Sequence, residues 1–173
     1  MKILLSSTLV IFLMLINQAF SEPKIAFIDM DRVISSSKSG SSILKQLTDL
    51  NNKNLRFLKN EEKKFQEKET KLISQKNIIS ETDFENKVNE LKSEIKNYNQ
   101  NRDKMLADFN KLKIDNTNNF LKLINPILVK FSNDKEISII LQKKDLVVAK
   151  SELNITDEII KIVNKDIKDF KIK

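Results

Sequence analysis

Apolar side chains recur in alternating steps of four and three residues along the second half of the chain. The alternation runs from Phe84 to Leu123 and covers roughly five heptads. Such spacing keeps one narrow stripe facing a partner helix, so it predicts a long coiled-coil helix. The stripe consists of Phe84, Val88, Leu91, Ile95, Tyr98, Arg102, Met105, Phe109, Leu112, Asn116, Asn119 and Leu123.

A looser seven-residue period precedes this helix and predicts its partner. Between about Ser41 and Ile79, one half of the seam is apolar, while the other half becomes polar after Leu47. Two such helices predict an antiparallel hairpin over residues 41–132, with a turn at residues 77–83 and a seam that closes loosely along the first helix. The apolar half is Leu44, Leu58, Phe65, Leu72 and Ile79, interrupted by Asn51, and the polar half is Asn54, Glu61 and Lys68.

Three local patterns predict where these helices begin and bend. The Ser-rich stretch 35–42, which contains Gly40, predicts caps and a bend before the first helix. Thr82 and Glu85 have the spacing of a capping box, which predicts the start of the second helix. Pro126 lies inside the helical pattern, where its ring predicts a bend.

The two ends of the chain, residues 22–40 and 133–173, predict a small β body. Lys24 to Asp29, Ile137 to Leu141 and Leu146 to Ala149 read as short strands, and Thr156 caps a last helix with Ile159, Ile160, Val163 and Ile167 on its apolar face. Three strands and one short helix bury too little surface to stand alone, so several chains must share the body. The predicted fold is therefore mostly α, with a long hairpin projecting from a shared β body whose contact residues include Ile25, Phe27, Ile139, Leu141 and Val147.

Residues 1–21 have the three parts of a secretory signal peptide. Lys2 supplies the positive start, an apolar run extends from Ile3 to Ile16, and Ala19 and Ser21 are small residues at the expected cleavage point. The apolar run is too short to span a bilayer comfortably. The sequence predicts export to the periplasm and cleavage after Ser21.

Lysine is the dominant cation of a basic chain. The 173 residues carry a formal net charge of +7, and such an excess attracts nucleic acid, anionic lipid or acidic protein. A nucleic-acid-condensing protein is one interpretation, but export argues against it. We expect the lysines of the first arm to attract an acidic protein partner or an anionic lipid or lipopolysaccharide surface, in particular Lys53, Lys59, Lys63, Lys64, Lys71 and Lys76.

The composition excludes the common chemistries of enzymes. The chain has no His and no Cys, so a thiolate nucleophile, an imidazole metal site and a Ser-His-acid triad are all excluded. One Gly cannot build a phosphate-binding loop. Carboxylate pairs such as Glu61 and Glu62 read as solvated helix faces. No catalytic residue, metal site or cofactor site is predicted, and an enzyme is not expected.

Two end segments resemble the Skp/OmpH family of periplasmic chaperones. The first is Lys24-Ile-Ala-Phe-Ile-Asp-Met-Asp-Arg-Val-Ile, followed by the Ser-rich turn with Gly40. The second comprises Ile137-Ser-Ile-Ile-Leu-Gln-Lys-Lys-Asp-Leu-Val-Val-Ala and Asn154-Ile-Thr-Asp-Glu-Ile-Ile. The segment between them has the helical character and length that the family shows, so the resemblance extends over essentially the whole chain after the signal peptide.

The resemblance implies a homotrimer with a small β-barrel body and three helical-hairpin tentacles around a cavity. It also implies a holdase function: binding of unfolded outer-membrane β-barrel proteins, here called clients, without ATP, so that they do not aggregate before membrane assembly. The alternative is an exported structural coiled coil of the cell envelope. A rigid, tightly packed seam and no protection of unfolded proteins would distinguish that alternative.

Overall fold

The computed structural model, which describes residues 23–168 and 170–172, is mostly helical and has a small sheet of two strands. The mostly α fold with a small β part is confirmed, whereas the predicted signal peptide, residues 1–21, lies outside the described residues. In chain order the elements are β1 (Lys24–Ile28), α1 (Met30–Ser36), α2 (Lys38–Gln75), α3 (Glu81–Asp134), β2 (Ile137–Gln142) and α4 (Thr156–Asp166), with single 3₁₀ turns at Lys143–Asp145 and Ser151–Leu153.

The two strands are parallel neighbours, so the chain between them crosses over. Ile25 pairs with Ile139 and Phe27 pairs with Leu141. Parallel strands cannot be joined by a tight turn and need a long connection. Here the connection is made of α1, α2 and α3. The sheet therefore holds both ends of the helical hairpin together.

The helices α2 and α3 form the arm of the molecule. With 38 and 54 residues they are about 57 and 81 Å long at 1.5 Å per residue. The Tyr98 hydroxyl donates to the backbone oxygen of Leu58 at 3.3 Å, and Lys68 pairs with Glu94 nearer the turn. Because rising numbers on α2 meet falling numbers on α3, the two helices are antiparallel.

The hydrophobic core lies at the root of the arm, where α2 and α3 meet the strands, α1 and α4. Its central side chains come from four helices and are almost completely buried, with exposed fractions of 0–2%. They are Val33 of α1, Ile43 of α2, Phe120 and Ile124 of α3, and Ile159 and Val163 of α4. Burial of Ile159 and Val163 agrees with the apolar face predicted for the last helix.

The caps and the bend predicted for residues 35–42 are concentrated at one residue, Ser37, which separates α1 from α2. Its hydroxyl accepts the backbone N–H of Gly40 at 3.2 Å and so caps α2, while the preceding residues form α1, which sequence reasoning missed. Gly40 lets these two helices approach closely. A β-carbon at this position would lie 2.1 Å from the backbone oxygen of Ile34.

The predicted strand from Leu146 to Ala149 is absent from the described residues. The chain turns at Lys143–Asp145 and then runs on without pairing, and the side chain of Val147 is 100% exposed. A strand needs a neighbouring edge to satisfy its backbone groups, and within the described residues of a single chain this segment meets none. The predictions for the other two strands are correct, since β1 and β2 occupy those positions.

The helix α3 begins and ends within about two residues of the predicted positions, but its cap differs. The cap is Ser80 rather than Thr82, and its hydroxyl accepts the backbone N–H of Asp83 at 3.2 Å. At the other end, α3 continues through Pro126 to Asp134, and the bend at the proline stays a prediction. The side chains of Ile124 and Phe131 on either side of the proline are buried in the core, and this tertiary packing offsets the lost backbone hydrogen bond.

A polar network joins the end of β1 to the chain segments around it. The Asp29 carboxylate accepts the backbone N–H of Arg32 at 2.9 Å and the amine of Lys143 at 3.0 Å. The backbone N–H of Asp29 donates to the Thr156 hydroxyl at 2.9 Å. The bond from the Arg32 amide, followed by the bond from Lys143, lowers the pKa of Asp29 below its usual value of 3.8.

We expect Gly40→Ala to destabilise the fold by about 1–3 kcal/mol, because the added β-carbon would overlap the backbone of α1. Urea unfolding followed by circular dichroism measures this loss. Ser41→Ala, which changes the exposed neighbouring residue, serves as the control and should have a small effect. A Gly40→Ala variant as stable as the original chain would contradict the close approach of α1 and α2.

We expect Asp29→Asn to lower the thermal midpoint at neutral pH and to lose this effect in acid. The folded-state pKa of Asp29 lies below 3.8, so the carboxylate adds stability above the unfolded-state value, and this contribution is lost as the pH falls through the lowered folded-state pKa. Thermal unfolding at several pH values between about 7 and 2 measures the difference between the two proteins. A difference that stays constant over this range would show that the charge of Asp29 contributes nothing.

Candidate functional site

The seam between α2 and α3 is centred on an aromatic contact midway along the arm. The rings of Phe65 and Tyr98 pack edge to face with centroids 5.3 Å apart. The Tyr98 hydroxyl also donates to the Glu62 carboxylate at 3.1 Å. Burial and this bond raise the pKa of Tyr98 above its usual value of 10. Phe65 and Tyr98 therefore lie opposite each other across the seam.

The structure places most of the predicted seam residues between the two helices. Leu58 is buried, whereas Leu44 and Ile95 are 40% and 36% exposed. Leu44 is therefore not a seam residue, and Ile43 takes its place with an exposed fraction of 2%. The other predicted seam residues are half-buried, namely Phe65, Leu72, Phe84, Val88, Leu91, Tyr98, Met105, Phe109 and Leu112.

The heptad pattern fails near the root because α3 meets more than one neighbour there. Beyond Leu112 the buried positions advance by four residues each, through Asn116, Phe120 and Ile124. In a helix with 3.6 residues per turn, each step of four residues rotates the buried face by about 40°. Three such steps rotate it by about 120°. This turn carries the apolar side of α3 from α2 toward β2 and α4, and it leaves Leu123 44% exposed.

Polar residues interrupt the seam on the α2 side, as the sequence indicates. Asn51, Asn54 and Glu61 are half-buried at the interface between the helices. Lys68 differs from the expectation, because its amine lies outside the seam and pairs with Glu94 across the hairpin. The seam of the arm is therefore less apolar and less buried than the core at the root.

One face of the arm is charged. Lys68, Lys71 and Gln75 of α2 line a shallow groove together with Glu90 and Glu94 of α3. These side chains flank the seam on the same side. Lys53 and Lys64 fall on this flank of α2 as well, because a residue turns by about 100° per position along a helix. We call this surface the charged face.

The opposite flanks of the two helices form a second face, which carries exposed apolar side chains. Leu55 of α2 is 52% exposed and Leu106 of α3 is 42% exposed. The antiparallel register, continued from the Phe65–Tyr98 ring contact toward the root, brings these two residues nearly level with each other. Leu44, which is 40% exposed, and Ile73, which is 64% exposed, lie on the same flank of α2 as Leu55. Ile95 of α3 lies at the edge of this second face. We call Leu44, Leu55, Ile73, Ile95 and Leu106 the apolar face.

Sequence reasoning missed three of these residues, because Leu55, Ile73 and Leu106 lie off the seven-residue period. Spacings of 11 residues from Leu44 to Leu55 and of 18 from Leu55 to Ile73 equal about three and five turns of 3.6 residues. The 3.6-residue period of a straight helix would have revealed this row.

One exposed apolar residue, Phe57 of α2, lies on the charged face instead. It is 49% exposed, which is close to the exposure of Leu55 on the apolar face. The two residues therefore allow a comparison of the two faces.

The six lysines predicted to attract partners do not form one patch. Lys53, Lys64 and Lys71 lie on the charged face, whereas Lys59 and Lys63 point away from the seam on the back of α2. Lys64 is paired with Glu61 at 2.7 Å and Lys63 is near Glu67 at 3.7 Å. The remaining residue, Lys76, is the C-cap of α2 at the tip of the arm. Their attraction for an acidic partner or an anionic surface stays a prediction.

The predicted contact residues of the body divide into buried and exposed ones. Phe27 is buried within the chain, at 7% exposure. Ile25, Ile139 and Leu141 are 39–47% exposed and Val147 is fully exposed. Among the described residues, β2 has β1 as its sheet neighbour on one side and no strand on the other. An open strand edge and several exposed apolar side chains therefore occur together at the body.

Two other features are not found in the part of the chain that the structure describes. No group of three or more acidic residues is arranged to hold a metal ion. None of the helices in residues 23–168 combines the length and apolar character that crossing a bilayer requires. The arm and the body edge carry exposed apolar side chains, which offer non-covalent contacts to another molecule.

Comparisons with known proteins agree on one relationship. The family profile described as "Outer membrane protein (OmpH-like)" matches residues 24–163. A crystal structure of a protein assigned as an OmpH-like outer membrane chaperone, from Caulobacter crescentus CB15, superposes with a TM-score of 0.72 at 15% identity and covers 87% of this chain and 89% of that chain. No curated protein matches this sequence. At 15% identity, the structural likeness establishes the fold.

Proposed function

This chain belongs to the OmpH-like family of outer membrane proteins, and we propose that it is a periplasmic holdase that binds unfolded outer-membrane β-barrel proteins without ATP. The observation that carries the proposal is the apolar face of the arm, where Leu55, Ile73 and Leu106 are 42–64% exposed. The assignment of the similar Caulobacter crescentus protein as a chaperone supports the same function. Export by a signal peptide at residues 1–21 is part of the proposal.

The spacing of the apolar face suits an unfolded chain better than a folded helix. Leu44, Leu55 and Ile73 are separated by about 17 and 27 Å along α2. A partner helix would need apolar residues at every third or fourth position. An extended polypeptide covers about 3.3 Å per residue, so its apolar side chains can reach separate points of this row in many registers.

Separate contacts also explain release without an energy source. Burial of a half-exposed leucine yields on the order of 1 kcal/mol at 25 cal/mol per Å². Several such contacts together hold a client, while each single contact breaks easily. The half-buried polar seam, which contains Asn54 and Glu61, permits the two arm helices to adjust to clients of different size.

We further propose that three chains share the β body, with Leu146 to Ala149 pairing against a neighbouring chain. The open edge of β2 and the full exposure of Val147 support this assembly. An unpaired edge beside exposed valines is an aggregation hazard unless another strand covers it. The number three comes from the family resemblance, and the exposed edge argues for more than one chain.

The holdase function predicts that Leu55→Gln together with Leu106→Gln weakens client binding by about tenfold, because two apolar contacts are lost. The measurement uses light scattering of a urea-unfolded outer-membrane β-barrel protein diluted into the chaperone without nucleotide. The unaltered chain should keep the client soluble at equimolar amounts of trimer and client, and the double variant should need about ten times more protein.

Phe57→Gln is the matched control, since it removes a similarly exposed apolar residue from the charged face. Protection by this variant should equal that of the original chain. An equal loss of client protection in both variants would show that clients do not bind preferentially to the apolar face. Precipitation of the client with the unaltered chain would overturn the holdase and favour the structural coiled coil of the cell envelope.

The shared body predicts that Val147→Asp weakens self-association by roughly a hundredfold, since a charge would be buried between chains. Light-scattering mass measured over a range of protein concentrations detects the shift from trimer to monomer. Ile73→Asp is the control, because it introduces the same charge at an exposed apolar position on the arm. An unchanged mass for Val147→Asp would exclude this segment from the interface.

A further inference from the structure

The chain after α4 returns to the root of the arm. α4 ends at Asp166, and the next residues pack against the hydrophobic core through the partly buried side chains of Ile167, Phe170 and Ile172. We call residues 167–168 and 170–172 the C-terminal strap. It lies outside every helix and strand of the described residues, so its position depends on side-chain contacts.

One residue of α2 binds the backbone of the strap at two points. The side-chain amide of Gln46 donates to the backbone oxygen of Phe170 at 3.0 Å, and its carbonyl accepts the N–H of Ile172 at 3.3 Å. The same amide donates to the backbone oxygen of Ser42 at 3.2 Å, which orients it. Gln46 therefore contacts the strap much as a neighbouring strand would, with one donor and one acceptor.

The strap touches the second arm helix as well. The ring of Phe170 packs edge to face against Phe120 of α3, with centroids 6.0 Å apart. Phe120 is completely buried at the root. Gln46 and Phe120 belong to different arm helices, so the strap connects α2 to α3 on the side away from the turn at the arm's tip.

The attachment of the strap is weaker than that of the core it covers. Its three apolar side chains are half-buried, whereas Ile159 and Val163 of α4 are fully buried. Segments with few buried contacts open at lower free energy than the core of the same protein. The strap can thus detach while β1, β2 and α4 stay folded.

We propose that the C-terminal strap is a releasable clasp that restrains the spacing of the two arm helices where the arm leaves the core. While it is bound, Gln46 and Phe120 are held through one segment, and the arm keeps a narrow range of shapes. When it detaches, the core still holds the root together, but the first turns of the arm lose this bridge, and the half-polar seam allows α2 and α3 to separate further along the arm. The clasp is a property of the arm and is tested without a client. A negative result for the clasp therefore leaves the proposed holdase function untouched.

The test measures the distance between the arm helices by electron spin resonance. The chain has no Cys, so Arg56→Cys and Ala107→Cys place one label on each helix at exposed positions. Labelled chain is diluted with unlabelled chain so that distances within one hairpin dominate. The clasp predicts that Gln46→Ala with Phe170→Ala makes the distance distribution about twice as wide, because a local restraint is removed.

Lys171→Ala is the matched control, because it changes an exposed strap residue and should leave the distribution unchanged. A chain ending at Asp166 should behave like the double variant. A distribution that stays narrow in both altered chains would overturn the proposal. If these variants fail to fold, hydrogen exchange of the unaltered chain decides: strap amides should exchange at least about tenfold faster than those of α4, and equal rates would overturn the clasp.

Discussion

Parallel pairing of β1 with β2 is the constraint on which the rest of the structure depends. It brings together two strands that precede and follow the hairpin in the sequence. The start of α2 and the end of α3 must therefore lie close together. The core then forms where these ends converge, around Ile43, Phe120 and Ile159. A long helical hairpin with a fixed root and a distant tip follows from one pair of short strands.

Burial falls along the arm, and this gradient sets where the molecule can deform. At the root, Phe120 and Ile124 are fully buried between several elements. Farther out, α2 and α3 have only each other, and Phe65, Leu72 and Leu91 are half-buried. Hydrophobic stabilisation grows with the area removed from water, so the outer arm has the lower local stability. Polar residues in the seam reduce it further. Adaptable arms on a stable root are the physical consequence.

The hairpin was predictable from sequence because a heptad pattern reports contact with a single partner. The same rule failed where several partners meet: it selected Leu44 instead of Ile43 and extended the stripe to Leu123, which is exposed. Strand propensity located β1 and β2. It also predicted a strand around Val147, although pairing within one chain is missing there, because propensity does not reveal which edge is within reach.

Short helices and single-residue breaks were harder to predict than the arm. A serine cluster suggested caps and a bend, but it did not reveal that Ser37 alone separates α1 from α2. The reason is tertiary: Gly40 permits a close approach to Ile34 that no local pattern encodes. The apolar face was missed for a different reason. Its residues follow the 3.6-residue period of a straight helix, whereas the seam follows the 3.5-residue period of a coiled coil.

Interrupted spacing on the apolar face resolves a conflict between binding and self-association. An arm must expose apolar side chains to hold an unfolded chain, yet a continuous apolar row would pair with other arms as a coiled coil. Between Leu55 and Ile73 the same flank carries Glu62 and Gln66, both exposed. A second rigid helix would have to bury these polar groups, at a cost in desolvation. A flexible extended chain can bend past them, so the spacing disfavours partner arms and still admits an unfolded polypeptide.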